Sequence, residues 1–350
     1  MTHRTFCGGL LALAVFGLNI APASAQCRLA HRQCTGLAGT LVDYTQNGRC
    51  DQRVYSSALC ECRDLYVYLP PGYDPKGSYP LVIWLHSYTT DEREFAEHVA
   101  PVIDRAIVAG ELPPLVIAAP DGSLHGDHHF VALGSWFVNS PRGRFEDYIV
   151  DDVLGFMEKN YAVCRDRSGR ALAGFSMGGH AAFNLGMKHR GTFKVVAGVS
   201  PALNLRYSGC DCRYLTDFDP SCDYVRDDYN AHEVVGRFYC GTVKVRAWEL
   251  LGPVFGHRCD APARLSQENP LEHLARLPIR PGDLDMYIAY GKRDEMNIDA
   301  QVESFLHEAA KHGIQPTVTA AACGVHSIPY MVSELPALCA WLKAHLQCPK

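Results

Sequence analysis

The sequence predicts an α/β fold in which helices cover both faces of a mostly parallel sheet. Short apolar runs alternate with longer amphipathic stretches along most of the chain, which is the pattern of such a sheet. The composition is that of a globular protein, with 47% apolar and 20% charged residues. The formal net charge is −5, and no cluster of Lys or Arg stands out. This balance argues against a nucleic-acid-binding surface.

The elements follow from these runs in chain order. Short apolar segments bounded by turn residues predict strands at Leu65–Leu69, Leu81–His86, Leu115–Ala119, Arg170–Phe175, Val195–Ser200, Leu284–Tyr290 and Pro316–Ala321. Amphipathic stretches predict helices at Glu94–Ala109, Phe145–Asn160, Met177–Lys188, Ile298–His312 and Ile328–His345. The segments Pro70–Gly72 and Pro120–Gly122 predict loops between these elements.

Residues 203–277 do not fit this alternation. The stretch is rich in Tyr, Arg, Asp and Cys, and it follows the predicted strand that ends at Ser200. We interpret it as an insertion over the carboxyl edge of the sheet, where open α/β folds bind ligands. Two interpretations stay open, a cap over a binding site and a surface excursion held by disulfides.

The first 25 residues have the pattern of a secretory signal peptide. His3 and Arg4 precede an apolar stretch from Phe6 to Ile20, and the small residues Ala23–Ala25 suit a cleavage site. The apolar stretch is short for a membrane span, and no later segment reaches about 18 uninterrupted apolar residues. We therefore expect a secreted or periplasmic protein that has no stable membrane anchor once the signal is removed.

The predicted organisation is a signal peptide at 1–25, a Cys-rich segment at 26–62, and an α/β domain at 63–350 with the insertion at about 203–277.

The cysteines agree with export. Loss of Cys7 with the signal leaves 14 of the 15 cysteines, an even number that allows up to seven disulfides. The Cys-X-Cys pairs lack the two-residue gap and the distal pair of a zinc module, which leaves metal ligation as the weaker interpretation. These pairs are Cys60 with Cys62 and Cys210 with Cys212.

A serine between glycines stands where a predicted strand becomes a predicted helix. The segment Gly174–Gly179 reads Gly-Phe-Ser-Met-Gly-Gly. This setting predicts that Ser176 occupies a sharp turn with its hydroxyl above the sheet, as the nucleophile of a serine hydrolase does. A short motif of this kind also arises by chance, and the alternative is a glycine-rich turn with an idle serine. Partners further along the chain decide between the two.

A serine nucleophile needs a histidine to take its proton and an acid to orient that histidine. Asp294 and His326 follow the last two predicted strands, which gives the order serine, acid, histidine of α/β hydrolases. Glu295 and Asp299 are rival acids, and Asp294 is preferred because it comes sooner after its strand. The backbone N–H of Met177 is the expected first oxyanion donor.

The second oxyanion donor is expected in the loop after the strand that ends at His86, which points to Ser87 or Tyr88.

Three further histidines, His125, His128 and His129, lie close together in one predicted loop. No carboxylate with ligand spacing accompanies them, so we interpret the segment as a solvated loop. We expect neither a metal nor an organic cofactor.

With these residues in place, the chain resembles the esterase D-like α/β hydrolases. That group includes feruloyl and acetyl-xylan esterases, S-formylglutathione hydrolases and mycolyltransferases. The resemblance covers roughly Val54–Leu346 and rests on Arg63–Tyr73, Pro120–Gly122, Glu146–Tyr148, Gly174–Gly179 and Gly324–His326. It implies an α/β-hydrolase fold with Ser176 as nucleophile, Asp294 as orienting acid and His326 as base. One departure is Ser87, which stands where the group usually has glycine.

The function expected from these observations is a secreted esterase that cleaves a small-molecule or carbohydrate-linked carboxylic ester through an acyl-serine intermediate. An alternative is an extracytoplasmic acyltransferase that moves the acyl group to a sugar hydroxyl. A second alternative is a catalytically dead binding protein on the same scaffold. The sequence leaves acyl and alcohol specificity open.

Overall fold

The computed structural model describes residues 30–32, 36–47, 50–126, 133–257 and 260–349. The predicted signal peptide lies outside the described residues, as do Cys27, Cys34, Cys259, His128 and His129.

The strands, numbered in chain order, form one large sheet and several two-stranded pieces. They are β1 Ala30–Arg32, β2 Thr40–Tyr44, β3 Gln46–Asn47, β4 Cys50–Asp51, β5 Val54–Ser56, β6 Glu61–Arg63, β7 Leu65–Leu69, β8 Leu81–Leu85, β9 Val116–Pro120, β10 Asn139–Ser140, β11 Gly143–Arg144, β12 Arg170–Phe175, β13 Val195–Val199, β14 Val234–Phe238, β15 Val243–Arg246, β16 Asp285–Gly291 and β17 Thr317–Ala321.

The large sheet has nine strands in the order β1-β2-β7-β9-β8-β12-β13-β16-β17. The strands from β9 to β17 in this order pair in parallel, whereas β1, β2 and β7 extend the sheet by antiparallel pairing. The carboxyl ends of the parallel strands therefore meet at one edge, which is where open α/β sheets bind ligands.

The helices are α1 Ala100–Val108, α2 Phe145–Asp147, α3 Leu154–Asn160, α4 Met177–Lys188, α5 Ala247–Leu250, α6 Gly252–Phe255, α7 Ala261–Gln267, α8 Pro270–Arg276, α9 Ile298–Lys311 and α10 Ile328–His345. A π-helical segment, Phe95–Val99, leads into α1, and a second, Tyr148–Val153, joins α2 to α3.

Helices cover both faces of the sheet because successive side chains of a strand point to opposite sides. In β12, Leu172 belongs to the core beneath α4, and Ala171 and Ala173 belong to the core beneath α1 and α10. All six residues of β12 are buried, as expected of a central parallel strand. The predicted α/β fold is confirmed.

The predicted elements agree with the structure to within one or two residues. The strands at Leu65–Leu69 and Arg170–Phe175 and the helices at Met177–Lys188 and Ile328–His345 have the predicted bounds. The helices predicted at Glu94–Ala109 and Phe145–Asn160 each contain one of the π-helical segments.

Residues 203–277 form the antiparallel hairpin of β14 and β15 and the helices α5 to α8. The hairpin is attached to the sheet edge by a backbone hydrogen bond in which Arg237 N–H donates to Glu295 O, at 2.9 Å. This contact brings the insertion beside the loop that follows β16.

The disulfide framework is smaller among the described residues than the cysteine count allows. Cys210 is bonded to Cys222 within one cluster, and Cys50 is also disulfide-bonded. Since Cys210 is bonded in this way, it is no thiolate ligand. The described free cysteines are Cys60, Cys62, Cys164, Cys212, Cys240, Cys323, Cys339 and Cys348. Exposed thiols such as Cys60 and Cys323 have no bonded partner in the described part of this structure, and the pairing that the cysteine count left open stays open.

No helix in the described ranges is both long enough and apolar enough to cross a bilayer.

Candidate active site

Ser176 lies on the turn between β12 and α4 in a conformation that L-residues rarely adopt, with φ 54° and ψ −113°. The glycines around it permit this turn. A Cβ at Gly178 would lie 1.8 Å from Leu85 O, and one at Gly174 would lie 2.4 Å from the same oxygen. The strained turn thus depends on close approach of the new helix to β8, and it points the serine side chain away from the sheet.

Ser176, His326 and Asp294 form a continuous hydrogen-bonded chain. Ser176 Oγ lies 2.9 Å from His326 Nε2, and His326 Nδ1 lies 2.8 Å from Asp294 Oδ2. With the Nδ1 proton donated to the carboxylate, Nε2 is left as the acceptor of the serine hydroxyl proton. The predicted side chains meet at the carboxyl edge of the sheet, although His326 is 150 residues from Ser176 along the chain.

A backbone hydrogen bond holds the acid in place, and a stacked aromatic ring holds the histidine. Asp294 Oδ1 accepts from Met296 N–H at 2.9 Å, so both carboxylate oxygens are engaged. The His326 ring is stacked on Phe175, with ring centroids 5.2 Å apart. Little conformational freedom remains in the relay.

The rival acids have other contacts. Glu295 Oε2 accepts from the backbone N–H of His326 at 2.7 Å and so holds the loop rather than the ring. Asp299 lies in the first turn of α9, and burial raises its pKa to about 6. The geometry therefore favours Asp294 as the orienting acid.

The charge state of His326 reflects two opposing effects. Burial disfavours the imidazolium and lowers the pKa of His326, whereas the charge of Asp294 and the hydrogen bond to it raise that pKa. The net pKa of His326 lies above its ordinary value of 6.5. The carboxylate thus makes the imidazole a stronger base for the serine proton.

Ser87 and Tyr88, the two loop residues considered for the oxyanion hole, differ in whether their backbone N–H is free to donate to an oxyanion. Ser87 N–H donates to Glu94 Oε2 at 3.1 Å, and Ser87 Oγ donates to the same oxygen at 2.5 Å. Ser87 is therefore committed to Glu94, which leaves the N–H of Tyr88 as the candidate donor from this loop. Met177 opens α4, so its N–H has no acceptor within the helix.

His86 connects this loop to the Pro120–Gly122 segment. His86 Nε2 accepts from Gly122 N–H at 2.8 Å, and Nδ1 therefore carries the proton, which it donates to Ser87 O at 2.8 Å. A neutral, fixed imidazole positions the loop, which gives a physical reason for histidine at the end of β8.

The insertion also contacts the site. Tyr88 Oη donates to Glu249 O at 2.8 Å, and Trp136 Nε1 donates to Leu250 O at 3.1 Å, both in α5. The ring of Phe238 meets that of His326 edge to face, with centroids 6.5 Å apart. Residues of β14, β15 and α5 thus form one wall of a 540 Å³ pocket that reaches Ser176 and His326.

Sequence reasoning missed Glu94 and the contacts that α5 makes. An acidic residue near the start of a helix is common, so Glu94 gave no signal of its own. The substitution of glycine by Ser87 was the available signal, because a hydroxyl and a side chain in that loop require a partner.

A sequence model of the family described as "Putative esterase" matches residues 56–335. The chain belongs to this esterase family. The match spans the strands and helices that position Ser176, Asp294 and His326.

Relatives of known name agree with this assignment over part of the chain. Esterase Rv1288 of Mycobacterium tuberculosis is 29% identical over 161 residues, 44% of this chain and 32% of the relative. The S-formylglutathione hydrolase of Mus musculus is 27% identical over 165 residues, 43% of this chain and 56% of the relative. The matched region is thus about a third of the first relative and just over half of the second.

Solved structures show the same fold. A ferulic acid esterase has a TM-score of 0.64 and 19% sequence identity, covering 89% of this chain and 100% of that protein. An S-formylglutathione hydrolase from Agrobacterium tumefaciens has a TM-score of 0.63 and 14% identity, covering 89% and 97%. The predicted α/β-hydrolase architecture of this esterase-family chain is confirmed.

Proposed function

We propose that this esterase-family chain is a secreted serine hydrolase that cleaves carboxylic esters through an acyl-serine intermediate. In this proposal Ser176 is the nucleophile, His326 the general base and Asp294 the orienting acid. The observation that carries it is the relay of 2.9 Å and 2.8 Å contacts at the strained turn. A dead scaffold would have no need to hold all three groups in register.

Acylation follows from the geometry. Ser176 Oγ attacks the ester carbonyl carbon while His326 Nε2 takes the hydroxyl proton, and Asp294 stabilises the resulting imidazolium. The carbonyl oxygen becomes an oxyanion that accepts hydrogen bonds from Met177 N–H and Tyr88 N–H. Collapse of this intermediate breaks the bond to the alcohol oxygen, which receives the proton from His326.

Deacylation repeats the sequence with water. His326 takes a proton from water, the hydroxide oxygen attacks the acyl carbon, and the serine oxygen leaves with the proton held on Nε2. The acid product departs and the relay is restored.

Export is part of the proposal, because the first 25 residues have signal-peptide character. The bonded Cys210–Cys222 pair and the disulfide-bonded Cys50 support an oxidising compartment.

The test is labelling of the purified protein with a fluorophosphonate, alongside an assay with a panel of short aryl esters. We expect one label per chain on Ser176, and neither label nor turnover in Ser176→Ala. Ser200→Ala is the matched control, because Ser200 is a buried serine at the end of the adjacent strand β13. Turnover that persists in Ser176→Ala would refute the assignment. Absent labelling of the folded wild type would favour a binding protein. A larger product yield on sugar hydroxyls than on water would favour acyl transfer.

A further inference from the structure

Two cavities of very different size meet at Ser176. The larger has a volume of 540 Å³ and the smaller about 30 Å³. Tyr88, Leu250 and Met296 line both cavities, as does Ser176 itself. An ester bound for attack has its acyl part on one side of the carbonyl carbon and its alcohol part on the other, so each cavity receives one part.

The smaller cavity adjoins Ser176 and Met177. Its walls are largely apolar and include Trp136, Leu205, Val235, Leu251 and Ile298. The buried pair of Tyr214 and Gln301 closes its end, with the Gln301 amide donating to Tyr214 Oη at 2.5 Å. One water needs roughly 10–15 Å³ in this measure, so the cavity holds a group of about one or two heavy atoms.

The position of His326 decides which part of the ester enters which cavity. His326 Nε2 must reach the alcohol oxygen to return its proton, and His326 lines the larger cavity together with Ser327 and Ile328. The smaller cavity is lined by Met177, whose N–H is the first proposed oxyanion donor, and His326 is not among its lining residues. The alcohol part therefore extends into the larger cavity, and the acyl part into the smaller.

The larger cavity is suited to an apolar alcohol. Phe175, Phe238, Val243, Val245 and Ile328 are among its apolar lining residues. Its volume is that of a pocket for a drug-sized molecule.

Several polar side chains of the larger cavity are already engaged. Thr90 Oγ1 donates to Glu94 Oε2 at 2.9 Å, Ser327 Oγ accepts from Tyr330 N–H, and Glu249 Oε2 accepts from Arg246 N–H. These three groups are not free to bind a sugar, whereas an aryl group would find rings and methyl groups on the same wall.

We propose that this esterase acts on short-acyl esters, formyl or acetyl, of bulky apolar alcohols, and that the β14–β15 hairpin determines the alcohol preference. This inference rests on the proposed function, since it names the substrate of the same site. Of the two substrate classes that the sequence left open, small-molecule and carbohydrate-linked esters, it favours the first.

The first experiment measures kcat/KM for 4-nitrophenyl acetate, butyrate and octanoate. We expect acetate to exceed octanoate by roughly 10-fold or more, because a misfit of a few methylenes in a closed apolar cavity has effects of this size. Leu251→Ala should enlarge the small cavity and raise the butyrate-to-acetate ratio, and Val235→Ala provides a second variant should the first fail to fold. Faster cleavage of octanoate, or of an ester with a bulky aromatic acyl group, would overturn the proposal.

The second experiment compares methyl acetate with 2-naphthyl acetate. Phe238→Ala should lower the ratio of kcat/KM for 2-naphthyl acetate to kcat/KM for methyl acetate by about 10-fold. Tyr239→Ala is the matched control, because Tyr239 is the next residue of the hairpin and is 80% exposed. Equal losses on both acetates would overturn the role of the hairpin. A wild-type protein that neither cleaves any ester nor reacts with fluorophosphonate would instead refute the underlying esterase function.

A separate observation concerns two free cysteines at the C-terminus. A Cβ at Gly169 would lie 2.5 Å from Cys164 Sγ and 3.1 Å from Cys348 Sγ, so the two sulfurs lie side by side. The tail is held there by Ser168, which accepts from Gln347 N–H at 3.1 Å and donates through Oγ to Gln347 O at 3.0 Å. Burial and the contact with Cys164 raise the pKa of the Cys348 thiol to about 12.

We infer that Cys164 and Cys348 form a disulfide in an oxidising compartment. Each thiol loses its proton, one S–S bond forms, and the two electrons reduce the disulfide of a small or protein oxidant to a dithiol. This bond would fasten the end of α10 to the segment that precedes β12.

The test is peptide mapping of the protein after treatment with oxidised glutathione, without reduction. We expect a linked Cys164–Cys348 peptide, and a melting temperature that a reductant lowers by several degrees more in the wild type than in Cys164→Ser. Cys339→Ser, which alters a buried free thiol of α10, should keep both the linked peptide and the larger reductant effect. Quantitative alkylation of Cys164 and Cys348 after unfolding without reductant would overturn the inference.

Discussion

Ser87 donates both its backbone N–H and its hydroxyl to one oxygen of Glu94, at 3.1 and 2.5 Å. Glu94 is only 3% exposed, and the same oxygen also accepts from Thr90 Oγ1. A single buried carboxylate thus holds Ser87 and Thr90, which lie on either side of Tyr88, the candidate oxyanion donor of this loop. The serine that replaces the usual glycine is accommodated because this carboxylate accepts its hydroxyl.

Replacement of Glu94 by Ala should therefore lower kcat by about 10- to 100-fold with little change in KM. Loss of an oxyanion donor costs about 10²- to 10³-fold, and Glu94 acts only through the position of such a donor. Glu94→Asp should recover part of the rate. The matched control is Glu97→Ala, an exposed position in the same helical segment. A rise in KM at constant kcat would contradict the role of Glu94 in positioning the donor.

Asp294→Asn should reduce kcat for ester hydrolysis by roughly 10⁴-fold, because an amide favours the wrong histidine tautomer. Asp299→Asn should leave kcat within a few-fold of wild type, since the described contacts of His326 do not include Asp299. Glu295→Gln should have an intermediate effect through the backbone of residue 326. Comparable losses in the Asp294 and Asp299 variants would contradict the choice of acid.

The sequence was sufficient for seven of the nine strands of the large sheet and for the three relay residues, but not for β1 and β2, which lie in the segment described as Cys-rich. The apolar run and the glycines around Ser176 determine β12, the turn and α4 almost to the residue, because a buried parallel strand and a tight turn leave few alternatives. Asp294 and His326 followed from chain order, since parallel strands deliver their following loops to one edge.

The hydrogen-bond partners and contacts of individual side chains could not be predicted from the sequence in the same way. Whether Ser87 N–H is free depends on the conformation of Glu94, and the wall formed by Phe238 depends on a hairpin whose strands lack clear alternation. The π-helical segments have nearly the same apolar periodicity as an α-helix, so Glu94–Ala109 was predicted as one continuous helix.

The pH dependence should reflect the raised pKa of His326. Catalysis needs the neutral imidazole, so kcat/KM should rise with pH through a midpoint above 6.5, the ordinary pKa of histidine. Stability should change in the opposite direction. The ion pair of His326 with Asp294 stabilises the folded state fully below the pKa that His326 has in the unfolded chain. This contribution is lost as the pH rises through the pKa of His326 in the folded protein.

In Asp294→Asn the charge that raises the pKa is absent, so the residual activity should show a midpoint at lower pH. The exposed Asp223→Asn should keep the wild-type profile. An unchanged midpoint in the Asp294 variant would show that another group produces the acid limb.

Asp299→Asn should stabilise the protein at pH 8 by on the order of 1 kcal/mol, as measured by urea unfolding. Burial, together with the charge of Asp294, raises the pKa of Asp299 to about 6, and its Oδ1 is buried with no hydrogen-bond partner among the described residues. Because the folded pKa is raised, ionisation above it disfavours the folded state, and the amide removes that cost. The gain should vanish below about pH 3, where the carboxyl is protonated in both states. Destabilisation at pH 8, with Asp223→Asn neutral, would mean instead that the carboxylate stabilises the first turn of α9.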